Sequence, residues 1–358
     1  MKNIIFGIIF GILSASYAAS SCDFRLDLEA ADCARPSTTP SVKPNPVLWS
    51  KFENFLKDRD FEERSVLSTL EAKFPEVSRV VPWMDCRQLL KTACHLKRLH
   101  FLSLPLKRAY ENVFYSLEFS IETLNPEDTS RLWSCISGCG YRLSKEFIER
   151  LDFYTAKQSS NFSCPLVLST LRHLSVLPAE RAFRRFVPIL SKIKTLRSPN
   201  DCHDFIFLKA YLAEVKGECV VPTRSMIAAI EKYQESAVYR VTTSLPQSEV
   251  ASFLQDFDSR FTCEVFYKDL DTHLDIADEE SKIVVDMDGH KHSKVDQTTT
   301  EHFRRPLDLM RDAILLGRGW KVYRIRPDEW EDFKKTYAAK MTERSTLEAF
   351  YKLYAVNA

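Results

Sequence analysis

Glycine is scarce in this sequence, and no phosphate-binding glycine loop is present. Eight of the 358 residues are glycine, and neither a GxGxxG nor a Walker-type sequence occurs. Such loops use glycine because it lets backbone amides approach a phosphate closely. The formal charge of +1 is also too small to attract nucleic acid through net charge. These absences argue against dinucleotide-binding and P-loop enzymes, so a function must come from local features.

The ten cysteines lack the spacing of a zinc site. No CxxC pair occurs, and Cys135 and Cys139 have no second pair of ligands. Cys94, Cys135 and Cys139 fall at apolar positions of helical patterns, where a buried thiol is common. An even number of cysteines also permits disulfides in an exported chain. The sequence leaves the disulfide state open.

The first 18 residues have the pattern of a secretory signal peptide. Lys2 precedes an apolar run at 4–13, and the small residues Ser16 and Ala18 precede the expected cleavage position. The run is too short to predict a membrane span, so we expect no stable span after cleavage. The pattern predicts an exported protein that is periplasmic, secreted or delivered to a host. An organellar or membrane-anchored protein is the alternative.

The amino-acid composition and apolar pattern of the remaining chain change at three places. Residues 19–46 are rich in Pro, Ser and Thr and predict a linker. Residues 47–240 carry apolar residues at spacings of three and four, which predicts helices. Residues 248–335 are richer in β-branched and aromatic residues and predict a second, mixed domain. Residues 336–358 predict a C-terminal helix.

A weak internal repeat runs through the helical region. Four apolar residues recur at a shift of 35 positions: Leu132, Trp133, Ile136 and Cys139 match Val167, Leu168, Leu171 and Leu174. Phe205, Leu208 and Tyr211 continue the series. Each unit would contain two short helices, which predicts an α-solenoid. Because the spacing drifts between units, a non-repeating helical bundle remains the alternative.

The segment 248–335 predicts the order helix, three strands, helix, strand. The predicted elements are a helix at 249–257, strands at 261–267, 270–276 and 282–287, a helix at 304–316 and a strand at 321–325. This order suits a mixed sheet flanked by helices. Trp320, Tyr323 and Trp330 are expected to pack in its core.

Acidic residues are expected where these strands end. Asp275 ends the second predicted strand and Asp286 ends the third, and Asp288, His290 and His292 follow in the next turn. A nuclease needs carboxylates near one metal ion, which stabilises the phosphate transition state and helps to deprotonate water. A histidine in this turn could act as a general base or contact a phosphate.

The stretch 274–330 resembles the RAP domain, an RNA-associated module related to restriction-endonuclease-like folds. The resemblance rests on the Asp288-Gly-x-x-His292 turn, the helix after it, the strand Lys321–Ile325 and Trp330. The segment 125–140 is similar to the helix-opening signature of the octa- and heptatricopeptide-like repeats that precede RAP domains. The implied fold class is a multi-domain α + α/β protein, with a solenoid-like α-helical repeat region before a small mixed-sheet RAP domain.

The same resemblance bears on catalysis. It implies that Asp275 and Asp286 are the metal-facing residues of a catalytic relative, with Asp288 and His292 beside them and Glu264 as a further carboxylate. Active members have a lysine two residues after the last carboxylate, where this chain has Asp288. The resemblance therefore favours binding over cleavage, with no cofactor required and Mg²⁺ only if the site is catalytic.

Basic residues favour the middle of the chain as the RNA surface. Residues 86–220 contain 20 Lys and Arg against 13 Asp and Glu, whereas residues 261–335 contain 13 against 17. A groove formed by the repeats would bind single-stranded RNA. The residues expected to contact this RNA are Arg181, Arg184, Arg185, Arg304, Arg305 and His290. A solvated helix face is the more frequent explanation for a run such as the first three. Arg304, Arg305 and Arg311, expected on one helix, could instead pair with Asp308 and Asp312.

Three functions follow. The favoured one is a non-catalytic, single-strand RNA-binding protein. The second is an Mg²⁺-dependent endoribonuclease that uses Asp275, Asp286, Asp288 and His292. The third is an exported module that binds a protein partner.

Overall fold

Twelve α-helices and seven β-strands make up the described part of the chain in this computed structural model. It describes residues 85–97, 101–102, 104–139, 143–236, 243–289, 293–296 and 302–356. The predicted signal peptide, the predicted linker and the start of the predicted helical region lie outside these residues. Within the described ranges, no helix has both the length and the apolar character needed to cross a membrane.

Helices occupy the described middle of the chain, as the apolar spacing predicted. They are α1 (Cys86–Leu96), α2 (Leu104–Glu118), α3 (Pro126–Cys139), α4 (Lys145–Lys157), α5 (Cys164–Leu174), α6 (Glu180–Leu190), α7 (Pro199–Tyr211) and α8 (Arg224–Ser236). Pro126 and Pro199 stand at the first helical position, where the missing N–H of proline leaves no hydrogen bond unmade. Ser198 caps α7, because its Oγ accepts from the Asp201 N–H at 3.1 Å.

Alternate helices pack side by side in chain order. Helix α3 contacts both α1 and α5, α5 contacts α7, and α4 contacts α6. The apolar residues that the sequence aligned lie on α3, α5 and α7, and all of them are buried. Their burial explains the apolar spacing, since each of these helices turns that face toward its neighbours.

Buried polar contacts fix the two rows of helices to each other. The indole Nε1 of Trp133 on α3 donates to Thr155 Oγ1 on α4 at 2.9 Å. The carboxylate of Asp152 on α4 accepts from the backbone N–H groups of Arg181 (3.1 Å) and Ala182 (2.7 Å). It therefore satisfies two donors at the start of α6 that have no partner within the helix.

The C-terminal part begins at α9 and contains a mixed sheet. Its elements are α9 (Leu245–Gln255), β2 (Thr262–Tyr267), β3 (Thr272–Asp278), β4 (Ile283–Met287), β5 (Ser293–Asp296), β6 (His302–Arg304), α10 (Pro306–Gly317), β7 (Lys321–Ile325), α11 (Pro327–Tyr337) and α12 (Arg344–Tyr354). The four-stranded sheet has the order β2-β3-β4-β7; β3 is antiparallel to both β2 and β4, and β4 is parallel to β7. The predicted helix-β-β-β-helix-β order is confirmed for α9, this sheet and α10, but β5 and β6 add two strands before α10 that were not predicted.

Three short strands form a second sheet that the sequence did not predict. β1 (Phe101–Leu102) comes from the helical part and pairs in parallel with β5, which is antiparallel to β6. β5 and β6 are inserted between β4 and α10. They are only 4 and 3 residues long, too short for a clear alternating pattern.

Each face of the four-stranded sheet is covered by helices. Val284 and Val322 belong to a core that includes Leu315 of α10 and extends into the helical part. Val285 and Ile325 belong to a second core with aromatic side chains of α9, α11 and α12: Phe253, Trp330, Phe333 and Phe350. The prediction that Trp320, Tyr323 and Trp330 are core residues is confirmed.

The helical part also contacts the sheet part directly. Helix α7 packs against α10, and the guanidinium of Arg318, just after α10, lies 3.1 Å from the carboxylate of Glu214. The domain boundary between 240 and 248 stays a prediction.

Two predicted ends of elements were wrong. Asp275 does not end its strand, since β3 continues to Asp278. Asp278 is the residue that turns the chain, because its Oδ1 accepts from the N–H groups of Glu280 (3.1 Å) and Ser281 (3.2 Å).

The helix after the histidine turn also begins later than predicted. Arg304 ends β6, and Arg305 is an extended residue that precedes the first turn of α10. Pro306 explains the difference, since proline disfavours helical backbone at the residue before it and is itself suited to the first helical position.

Candidate functional site

Acidic residues line up across three neighbouring strands. Cys263 pairs with Ile276 and Val265 with Leu274, so the register of β2 and β3 places Glu264 opposite Asp275. The register of β3 and β4 pairs Ile276 with Val285, which places Asp275 opposite Asp286 once it is continued by one step. Carboxylates that the sequence separates by 11 residues are therefore neighbours in the sheet.

At Asp275 and Asp286, the side-chain carboxylates accept hydrogen bonds from backbone N–H groups of the neighbouring strand. The Asp275 carboxylate accepts from the backbone N–H of Met287 at 2.7 Å. The Asp286 carboxylate accepts from the backbone N–H of Asp275 at 3.4 Å. Each aspartate thus bonds to the opposite strand, which holds the two carboxylates on adjacent strands in a fixed position.

Two arginines contact the Asp286 carboxylate. The Arg311 guanidinium of α10 lies 2.6 Å from Asp286 Oδ2, and that of Arg324 on β7 lies 3.5 Å from the same oxygen. Asp286 is only 1% exposed. A buried carboxylate needs such partners because leaving it without a compensating charge would be strongly unfavourable.

Arg324 connects Asp286 to two further carboxylates. It forms a two-pronged pair with Asp312 of α10, Nε to Oδ2 at 2.8 Å and Nη2 to Oδ1 at 2.6 Å. Its Nη1 lies 2.5 Å from Asp288 Oδ1. Arg304 Nη1 lies 2.5 Å from Asp312 Oδ2. Three arginines and four aspartates therefore form one cluster, which we call the Asp–Arg cluster: Asp275, Asp286, Asp288, Asp312, Arg304, Arg311 and Arg324.

Asp275 is a member of this cluster whose protonation is strongly perturbed. Burial, followed by the negative charge of Asp286, raises the pKa of Asp275 from 3.8 to about 7. A proton on Asp275 would leave three negative carboxylates against three guanidiniums. Charge balance within a buried cluster therefore favours the neutral acid.

The arrangement of this cluster does not fit a resident Mg²⁺ ion. Mg²⁺ prefers octahedral oxygen ligands with open access for water, but Asp286 faces two guanidiniums and Asp275 accepts a backbone hydrogen bond. Across the described ranges, no group of three or more His, Cys, Asp or Glu side chains is placed to hold a metal ion. We therefore assign no metal-dependent step to these residues.

Helix α9 contacts the outer end of the carboxylate row. Gln247 Nε2 donates to Glu264 Oε1 at 2.7 Å and to the backbone oxygen of Asp275 at 3.0 Å. Glu264 has a left-handed φ of 56°, which interrupts β2 at this position. Gln247 is buried, so the first helix of this part is fixed against the carboxylate row by a side-chain amide.

The Asp–Arg cluster borders an open cavity of about 830 Å³. Asp288, Arg304 and Arg324 of the cluster line it, together with Arg326 and Tyr354. Arg304 is thus partly accessible, as its side chain is 29% exposed. Arg305 is exposed beside it. His290 and His292 lie outside the described residues, so their predicted roles stay predictions.

The three arginines predicted on one helix share the exposed side of α6. Arg181, Arg184 and Arg185 are exposed, whereas Ala182, Phe183, Phe186 and Leu190 are buried on the other side. Arg184 also pairs with Glu180 at 2.8 Å. No hydrogen bond or ion pair described by the structure joins these arginines to the Asp–Arg cluster, so the predicted site residues fall into two separate groups.

Further basic residues follow α6 that the sequence reasoning missed. Lys192, Lys194 and Arg197 are exposed in the segment between α6 and α7. Residues 181–197 contain six Lys or Arg and no Asp or Glu. We call these six the α6 basic surface: Arg181, Arg184, Arg185, Lys192, Lys194 and Arg197. The run without an acidic residue was the signal in the sequence.

The arginine partners of Asp286 were also missed. Arg311 was expected to contact phosphate or to pair with Asp308 and Asp312 at the surface, but its side chain is 12% exposed and binds Asp286. Arg324 stands within the apolar strand β7, where a charged residue is unusual. That position was the available signal, although its partners could not be read from the sequence.

Comparison with known proteins gave no match: no protein-family model matches the chain, and neither does any curated protein.

Proposed function

We propose that this protein binds single-stranded RNA through the α6 basic surface and does not cleave it. The proposal rests on six exposed basic residues in the segment 181–197, which contains no acidic residue. Phosphates attract such a surface because each contact with Lys or Arg releases a bound counterion. The other side of α6 is buried, so the helix presents its three arginines from a fixed position.

The packing of the helices supports the proposed repeat architecture. The starts of α1, α3, α5 and α7 follow one another at 40, 38 and 35 residues, and each of these helices contacts the next. Stacked helix pairs of this kind form extended surfaces. A continuous surface would let RNA follow the basic segment, which suits an unpaired strand.

The order and pairing of the C-terminal strands support a restriction-endonuclease-like, RAP-related module. The helix-β-β-β-helix-β order, the strand order β2-β3-β4-β7 and the aligned acidic residues are the features in favour. The pairing of Asp286 with Arg311 and Arg324 favours a non-catalytic form. Such a module would hold the strand beside the repeats, with the partly exposed Arg304 and the exposed Arg305 as its phosphate contacts.

Salt-dependent RNA binding tests this proposal. The fluorescence anisotropy of a labelled single-stranded RNA is measured with the purified full chain over a series of salt concentrations. The variant Arg181→Gln/Arg184→Gln/Arg185→Gln should bind more weakly at every salt concentration. Its slope of log K against log salt should be shallower by about 2, since each phosphate contact with a single strand contributes about 0.7.

A matched control removes three exposed basic residues from other positions. Arg131, Lys145 and Arg150 each pair with a carboxylate at the surface of α3 or α4. Their replacement by Gln should change binding much less, although it removes the same net charge. Equal losses in the two triple variants would show that net charge alone attracts the RNA and would contradict the α6 basic surface.

The same preparation distinguishes the other two functions. Cleavage of the labelled RNA that requires Mg²⁺ and is lost in Asp286→Ala and with EDTA would establish the endoribonuclease. The absence of RNA binding at low salt would favour the exported protein-interaction module. Our proposal expects binding without cleavage.

A further inference from the structure

Two cysteines, one on helix α1 and one on helix α3, are in direct contact. Cys94 Sγ on α1 lies 3.1 Å from Cys135 Sγ on α3. A disulfide has an S–S bond of about 2.05 Å, so a movement of roughly 1 Å would bring the two sulfurs to bonding distance. The two residues are 41 positions apart in the sequence, and neither belongs to the α6 basic surface or to the Asp–Arg cluster.

The two thiols differ in accessibility. Cys94 is partly exposed, whereas Cys135 is fully buried. The contact with Cys94, together with burial, holds the pKa of Cys135 well above its ordinary value. A dissolved oxidant can therefore reach Cys94 but cannot easily reach Cys135, and Cys135 is placed to react only with its neighbour.

The basic side chain of Lys97 and a third thiol, that of Cys139, lie near the Cys94–Cys135 pair. Lys97 Nζ donates to Ser134 Oγ at 2.6 Å, beside the thiol pair. Its positive charge lowers the pKa of Cys135, opposing the effect of burial. Cys139 lies one turn along α3, where its Sγ–H donates to the backbone oxygen of Ile136 at 3.1 Å. Cys139 is thus oriented along its own helix, whereas Cys135 points to Cys94.

We propose that Cys94 and Cys135 are a redox pair that forms a disulfide between α1 and α3 by exchange with an external disulfide. The Cys94 thiolate attacks the external disulfide, forms a mixed disulfide and releases one external thiol. The Cys135 thiolate then attacks Cys94 Sγ and releases the second external thiol. Two protein thiols are oxidised, one external disulfide is reduced to two thiols, and the two protons leave with those thiols.

Oxidised glutathione provides a direct test with the full chain. The reduced protein is incubated with oxidised glutathione, quenched in acid and alkylated, and its intact mass and peptides are measured. The expected product carries two fewer alkyl groups than the reduced and alkylated protein. It also gives a Cys94–Cys135 linked peptide that is lighter by about 2 Da, the mass of two hydrogen atoms, than the sum of the two free-thiol peptides. This measurement on the unmodified sequence needs no variant to fold.

Two variants test the order of the steps. Cys135→Ala should accumulate the mixed disulfide of glutathione on Cys94, because the second thiol is missing. Cys94→Ala should leave Cys135 unmodified, because the buried sulfur is not accessible. The control Cys164→Ala removes an exposed cysteine and should leave the linked peptide unchanged.

The outcome that overturns the proposal is also defined. Glutathione attached to exposed Cys164 or Cys219 would show that the oxidant reacted with the protein. If no Cys94–Cys135 peptide formed in that sample, or if Cys94 became linked to Cys139 instead, the assigned pair would be wrong. The test does not depend on RNA binding, so the two proposals can fail independently.

Discussion

Replacing Asp275 by asparagine should remove a pH dependence from the stability of the sheet part. Asparagine has nearly the same shape, and its side-chain oxygen can still accept from the Met287 N–H, which lies 2.7 Å from the aspartate. It cannot ionise. The substitution therefore removes the repulsion between the charges of Asp275 and Asp286 and retains the hydrogen bond.

The size of the effect follows from the pKa of Asp275. That pKa rises from 3.8 to about 7 because of burial and the charge of Asp286. Between these two pH values the folded protein keeps a proton that the unfolded chain has released, so the free energy of unfolding falls as pH rises. The full difference is about 4 kcal/mol. Since the side chain is partly exposed and water screens the charges, we expect about 2 to 4 kcal/mol.

Urea unfolding measures this difference. Trp320 and Trp330 are two of the five tryptophans and are buried beside the sheet, so tryptophan fluorescence includes a signal from the unfolding of this part. Relative to the unmodified protein, Asp275→Asn should gain about 2 to 4 kcal/mol between pH 4 and pH 8. Groups that do not interact with Asp275 titrate equally in both proteins and cancel in the comparison.

The exposed residue Asp332 provides the control. Its side chain is 77% exposed, so Asp332→Asn should show no such gain with rising pH. A difference between Asp275→Asn and the unmodified protein that is the same at pH 4 and pH 8 would refute the reasoning, because it would mean that Asp275 is not held protonated in the fold.

Three further outcomes follow from the contacts. Arg311→Gln leaves buried Asp286 without its nearest cation, which should cost about 3 to 5 kcal/mol in urea unfolding, whereas Arg185→Gln at an exposed position of α6 should have little effect. The Cys94–Cys135 disulfide closes a loop of 41 residues and should add up to about 4 kcal/mol, measured by urea unfolding with and without reductant. Ser198→Ala removes the cap of α7 and should cost about 1 kcal/mol by the same measurement, while Ser198→Asp should retain most of the stability.

Local patterns predicted the elements of this fold well, because burial on one side imposes a period on the sequence. The strand at 321–325 was predicted at its observed limits. Errors arose where a single residue changes the backbone, at Pro306 at the start of α10 and at Asp278 at the end of β3. A periodicity of apolar residues carries no information on such hydrogen bonds or ring constraints.

The candidate site was less predictable because its members meet only through tertiary structure. Asp275 and Asp286 were identified as neighbours from their positions near strand ends, although one of those ends was wrong. The pairing of Asp286 with Arg324 requires the parallel register of β4 and β7, and that with Arg311 requires the packing of α10. Neither the register nor the packing follows from local propensity.

The position of Asp288 links the resemblance to the observed charges. Under the proposed relationship, a restriction-endonuclease-like nuclease has a lysine at the position of Asp288. Asp288 then carries a negative charge where such a nuclease carries a positive charge. Arg324, 2.5 Å from Asp288, supplies a positive charge from the neighbouring strand. A lysine at position 288 would therefore face Arg324, and the like charges would repel each other at short range. Asp288→Lys would therefore disrupt the Asp–Arg cluster, so Asp288 and the arginines form one arrangement that stabilises the fold.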